Sequence, residues 1–152
     1  MRIKFFLFAS LLAFATLSFQ SCTKDPIETI VDSSLPIGAF TSARSGSIVA
    51  QSDTGSKGTA TLGQDTKGTY FLKLGSDFQT VLATGTVSLY LSTSAMFKAD
   101  PGKGNPDLKL VGIIAKNGET YFKLSSAPDS KFTHMILWCG TAGVPFGNAN
   151  LK

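Results

Sequence analysis

Side chains able to do chemistry gather in one stretch, Phe132 to Cys139 with the tail Gly140 to Leu151, which holds the chain's only tryptophan, Trp138, and only histidine, His134. Cys139 closes the strand-like part. A thiol there acts as a nucleophile or redox centre if its thiolate is stabilised and reachable, and as a small hydrophobe if it packs with Met135 and Leu137. His134 and Cys139 cannot make a zinc site together, because a catalytic site usually needs three protein ligands and a structural one four. A single unframed histidine is otherwise a partly buried strand residue, and Trp138 a core aromatic. Asp100, Asp107 and Asp129 fall in loops where carboxylates could hold calcium, but without the fixed spacing of a calcium loop. No elbow motif frames any serine. The runs Gly63 to Gly68 and Gly102 to Asn105 sit in β-turn contexts with no helix behind them, so neither cradles a phosphate.

The second cysteine, Cys22, has a different setting. Met1 to Lys4 is short and basic, and Phe5 to Phe19 is apolar apart from Ser10, Thr16 and Ser18. That run is too short for a comfortable membrane span and has the layout of an export signal. Ser21 directly before Cys22, with Lys24 and Asp25 just after, resembles a bacterial lipoprotein signal, cut before a cysteine that then carries acyl chains such as palmitate. Phe19 and Gln20 depart from the strict box and resemble the looser boxes of Bacteroidota-type lipoproteins. The expected organisation is a signal peptide over 1–21, a tether over 22–36 from acylated Cys22, and one β domain over 37–152. Such a chain is exported and membrane-anchored in the bacterial cell envelope, facing the periplasm or the surface.

Cleavage removes Arg2 and Lys4, so the formal charge falls from +4 to +2. No Lys/Arg cluster remains to follow a phosphate backbone, which argues against nucleic acid as a partner. Acylation would consume the Cys22 thiol, so no disulfide is expected and stability must come from a core of Phe, Leu, Ile and Val.

The elements that position these residues are short β runs separated by Gly, Asp, Asn and Ser clusters, without a sustained helical stripe. The pattern predicts strands at Ser47–Ser52, Thr59–Leu62, Thr69–Leu74, Thr86–Ser92, Leu108–Ile114, Glu119–Leu124 and a final Phe132–Cys139. Gly75 to Thr84, with Phe78, Val81 and Leu82 at roughly helical spacing, fits either one short turn or another strand. Val87, Leu89 and Leu91 should face inward. In the final strand His134, Ile136 and Trp138 alternate with Met135, Leu137 and Cys139, both sets largely apolar, so it should be central and covered on both sides. Asn117-Gly118 offers the positive φ angles of a tight hairpin between its flanking strands. Lys98 to Asp107 is a polar loop suited to display. The fold class is all-β, an antiparallel sandwich or partly open barrel of about eight to ten short strands.

Gly68 to Leu74, Val87 to Ser92, Leu110 to Ile114 before the Asn-Gly turn, Tyr121 to Leu124, and above all Ile136 to Cys139 with Val144 to Leu151 resemble, in order, the DM-13 or electron-transfer DM domain. The resemblance covers about Phe40 to Leu151. It implies a β-rich fold, a place beside DOMON-type or b-type cytochrome partners, and electron transfer through the near-terminal cysteine. By position that residue is Cys139, a redox thiol framed by Trp138, Phe146 and Gly147. Any haem would belong to a partner, and no cofactor is implied for this chain. Two departures stand out: Gly85 to Ser88 where the family has Gly-Pro-Asp-Leu, and Cys139-Gly-Thr-Ala where it has Cys-x-x-Phe. The competing expectation is a non-catalytic binding or adhesion module that displays surface loops to a partner or glycan. A third is a purely structural envelope component.

Overall fold

The computed structural model describes residues 35–83, 85–99 and 104–152. The expected signal peptide, Cys22, most of the tether and Asp100 lie outside the described residues. Among the described residues nine strands follow one another: β1 Thr41–Ser47, β2 Val49–Ala50, β3 Thr59–Gln64, β4 Tyr70–Leu74, β5 Val87–Ser92, β6 Leu108–Ile113, β7 Thr120–Lys123, β8 His134–Cys139 and β9 Val144–Asn150. They form two antiparallel sheets, β1-β3-β4-β7 and β2-β9-β8-β5-β6. These stack as a sandwich that is not closed into a barrel, as the strand pattern predicts.

Alternation builds the interior. Val87, Leu89 and Leu91 of β5 point inward beside Met135, Leu137 and Cys139 of β8, and meet Leu72 and Leu74 of β4 and Ala60 and Leu62 of β3. Each fully buried aliphatic side chain contributes about 1.5–3 kcal/mol of transfer free energy, the drive that selects this register. β8 lies between β5 and β9, so it is central. On its outer face Ile136 is buried, whereas His134 and Trp138 are half-buried.

Three expectations change. The tail after Cys139 is itself a strand, β9, so the expected final strand is the penultimate one. A run of Val-Pro-Phe-Gly-Asn-Ala-Asn carries little β signal on its own, and the strand exists because β8 supplies its partners. The expected first strand, Ser47–Ser52, is preceded by β1, and the chain between β1 and β2 passes through buried Ile48 from one sheet to the other. Gly147 permits this corner, because a Cβ there would lie 2.9 Å from the Val49 carbonyl oxygen.

The third change concerns Asn117-Gly118. The turn exists and Gly118 has φ 84°, but β6 and β7 belong to different sheets and the segment is an arch between them. The Asn117 side chain instead pins Thr80: its Oδ1 accepts from Thr80 N–H at 2.9 Å and its Nδ2 donates to Thr80 C=O at 3.2 Å. From Thr80 a chain of hydroxyls crosses the end of the sandwich. Thr80 Oγ1 and Ser56 Oγ are 2.7 Å apart, Ser56 Oγ and Thr54 Oγ1 are 2.9 Å apart, and Thr54 Oγ1 donates to the Phe146 carbonyl. Within Gly75 to Thr84 the Phe78 N–H donates to the Gly75 carbonyl at 3.0 Å and closes one short turn, with no helix or strand among the described residues. A single bridge from Lys57 to Gln79 holds it while Phe78 plugs the core.

Candidate functional site

Alternation along β8 decides where the chemistry-bearing residues go. Cys139 points inward, is 0% exposed, and belongs to the apolar core. Its register partners are Val87 and Val144, and its Sγ accepts the Ala142 N–H at 3.5 Å from the β8–β9 turn. Phe146 is buried in the same core, and Gly147 serves the close approach of β2. Trp138, one residue before the thiol, points to the opposite face of the sheet. The strand pleat therefore separates the two members of the expected pair.

On that outer face Trp138 stacks on Phe97, with centroids 3.9 Å apart and planes 11° from parallel, and Phe97 meets Tyr90 edge-on at 5.3 Å. A small cleft of about 190 Å³ lies between Trp138, Phe97, Met96, Pro145, Ala95 and Gln51. Gln51 Oε1 is buried there without a hydrogen-bond partner among the described residues.

The remaining sequence candidates lie apart from one another where they are described. His134 Nδ1 lies 2.9 Å from Thr133 Oγ1, and no group of three or more His, Cys, Asp or Glu side chains gathers among the described residues. Asp129 Oδ1 accepts the Lys131 N–H and closes a turn. In the display loop, Asn105 Nδ2 bonds the Lys98 carbonyl and ties the loop's ends together.

A larger concavity covers the outer face of the four-stranded sheet. It encloses about 400 Å³, within the roughly 300–1,000 Å³ usual for ligand sites, whereas the Trp138 cleft falls below it. β3 contributes Thr59 and Thr61, β4 Lys73, the loop after it Ser76 and Asp77, and the arch Glu119. β1 contributes Ser42 and Ser45 by an irregularity. Residues three apart on a regular strand face opposite ways, but the register slips between Ser42 and Arg44. Ser42 therefore pairs with Gly63 and Ser45 with Thr61, positions of β3 that share a face. Phe40 forms one wall, held edge-on to Tyr121 at 5.7 Å.

The charges here are fixed. Lys73 Nζ lies 2.7 Å from Glu119 Oε2 and 5.2 Å from the Tyr121 ring centre. The hydrogen bond from Lys73 holds the Glu119 carboxyl below its ordinary range, and the same bond, with help from Tyr121, raises Lys73. Asp77 is clamped by Thr59, whose N–H and Oγ1 donate at 3.1 and 2.9 Å.

Sequence reasoning missed this groove. Thr59, Thr61 and Lys73 carry a period-two signal, but nothing in the sequence marks the slip that turns Ser42 and Ser45 to one side. No family model, no curated protein and no solved structure matches the chain.

Proposed function

We propose that this chain is a lipid-anchored module of the bacterial cell envelope that binds a ligand and does not catalyse a reaction. The carrying observation is the division of the sandwich: its described thiol faces the core, while the polar groove opens on the outer face of the four-stranded sheet. The export-type leader and Cys22 support the anchored placement, with the membrane as one partner. No cofactor of its own enters this function.

The DM-13-type alternative is electron transfer through Cys139 to a haem- or DOMON-type partner, and it draws support from the family-like tail that follows the thiol and from the Ala142 N–H aimed at Sγ. In that alternative Cys139 attacks a partner disulfide, forming a mixed disulfide and releasing the partner's second sulfur as thiolate. Ferricyanide titration of the reduced chain, with Cys22 blocked, separates the two. A binding module consumes no oxidising equivalent until it is unfolded. Consumption of one oxidising equivalent per folded chain, each thiol giving one electron to ferricyanide and one proton to solvent, with ferrocyanide and a disulfide-linked dimer as products, would overturn the binding proposal.

A further inference from the structure

Building on the binding-module proposal, we infer that the groove over the four-stranded sheet takes a neutral oligosaccharide. Its lining is rich in hydroxyls, and those of Ser42, Ser45, Thr61 and Ser76 make no hydrogen bond among the described residues. A hydroxyl both donates and accepts, which matches ligands whose own groups do the same. Between these rotatable groups stand two fixed sets: the Lys73–Glu119 pair, and Asp77 held by both donors of Thr59. Polar groups oriented before binding give direction without an ordering cost at the moment of contact. The Phe40 ring supplies an apolar wall against which the C–H face of a sugar can pack.

Charge and shape exclude the other classes. One cation against two carboxylates repels phosphates, acidic peptides and uronic acids. An apolar ligand would bury the hydroxyls and the ion pair without partners, at a cost for each. Strand addition needs a free sheet edge, whereas this concavity lies on the face across β1, β3 and β4; β1 is itself an edge strand, but at Ser45 its outer side is taken by Lys152, each N–H donating to the other's carbonyl at 2.8 and 3.0 Å. The bulge in β1 is the device that makes the site, since without it only one of Ser42 and Ser45 would face the groove.

The test uses the full chain purified in detergent, with cellohexaose, mannohexaose and chitohexaose as neutral probes and hexagalacturonate as the anionic control. Calorimetry measures affinity, and amide chemical shifts locate the contact. A neutral hexaose should bind, shift the amides of Ser42, Ser45, Thr61, Lys73 and Glu119, and leave the fluorescence of Trp138 unchanged. The triple change Ser42→Ala, Ser45→Ala, Thr61→Val should weaken that binding at least about tenfold, the loss expected for a few hydrogen bonds. Unchanged circular dichroism would confirm that the variant folds, and Phe40→Ala provides an independent wall variant that should also bind more weakly. Stronger binding of hexagalacturonate would overturn the inference. So would neutral-sugar shifts centred on Trp138, which would leave the binding-module proposal standing with a different site. If no probe binds, the inference fails, and the ferricyanide titration still decides the wider proposal.

Discussion

Replacing Asn117 with glycine separates an arch from a hairpin. In a two-residue hairpin turn, Gly-Gly is as acceptable as Asn-Gly, so the change would be nearly neutral. In the arch, Asn117 makes both side-chain hydrogen bonds to the backbone of Thr80, a residue only 7% exposed. Each such bond is worth about 0.5–1.5 kcal/mol net. Asn117 itself is exposed, so water can replace part of what is lost, and the lower half of that range applies to the pair, about 1–2 kcal/mol. The extra backbone freedom of glycine in the unfolded chain adds about 0.4–1 kcal/mol. The expected loss is therefore about 1.5–3 kcal/mol, read as a lower urea midpoint with unchanged slope, followed by the fluorescence of Trp138. Asn117→Asp should also destabilise, because a carboxylate oxygen would then face the Thr80 carbonyl. A loss for Asn117→Gly below about 0.5 kcal/mol, near the scatter of ordinary surface substitutions, would refute the clamp.

Other outcomes follow from the same geometry. Phe97→Ala removes two aromatic contacts, each worth about 0.5–1.5 kcal/mol, and should shift Trp138 emission to longer wavelength while lowering the urea midpoint. The Asp65 carboxyl is held below its ordinary range first by the Ile37 N–H and then by those of Thr69 and Lys67. Its folded value lies below its unfolded one, so its contribution is complete above the usual carboxylate range and vanishes as pH falls through the lowered value. The stability difference between wild type and Asp65→Asn should shrink accordingly in an acid titration, and a difference that does not change with pH would contradict the assignment. Cys22→Ala should release the protein from the membrane fraction and abolish an acyl adduct on the N-terminal peptide in mass spectrometry.

The inward face of the fold is legible from residue order because alternation and burial are the same fact: Val87, Leu89 and Leu91, then Met135, Leu137 and Cys139, mark one side of a two-layer core. Connections are less legible. Asn117-Gly118 specifies a reversal, but which sheet the chain enters next depends on where Phe122 and Leu124 find their contacts, a matter of long-range packing. β9 has weak intrinsic preference, and β8 and the nearby β1–β2 corner supply its partners. At the site, Cys139 and Trp138 are adjacent in sequence, yet the pleat places them on opposite faces. The groove depends on a single extra residue in β1, a feature with no composition of its own.

Thiol reactivity in the folded state tests most directly whether the molecule binds rather than exchanges electrons. In the Cys22→Ser full chain, leaving Cys139 as the sole cysteine, the reaction with Ellman's reagent is timed with and without denaturant. A sulfur sealed in the core reacts only when the structure opens, so labelling should be at least about a thousandfold slower in the folded chain, matching an opening cost of several kcal/mol. Native labelling within about tenfold of the unfolded rate would mean that the sulfur is reachable, and would contradict a core role for Cys139.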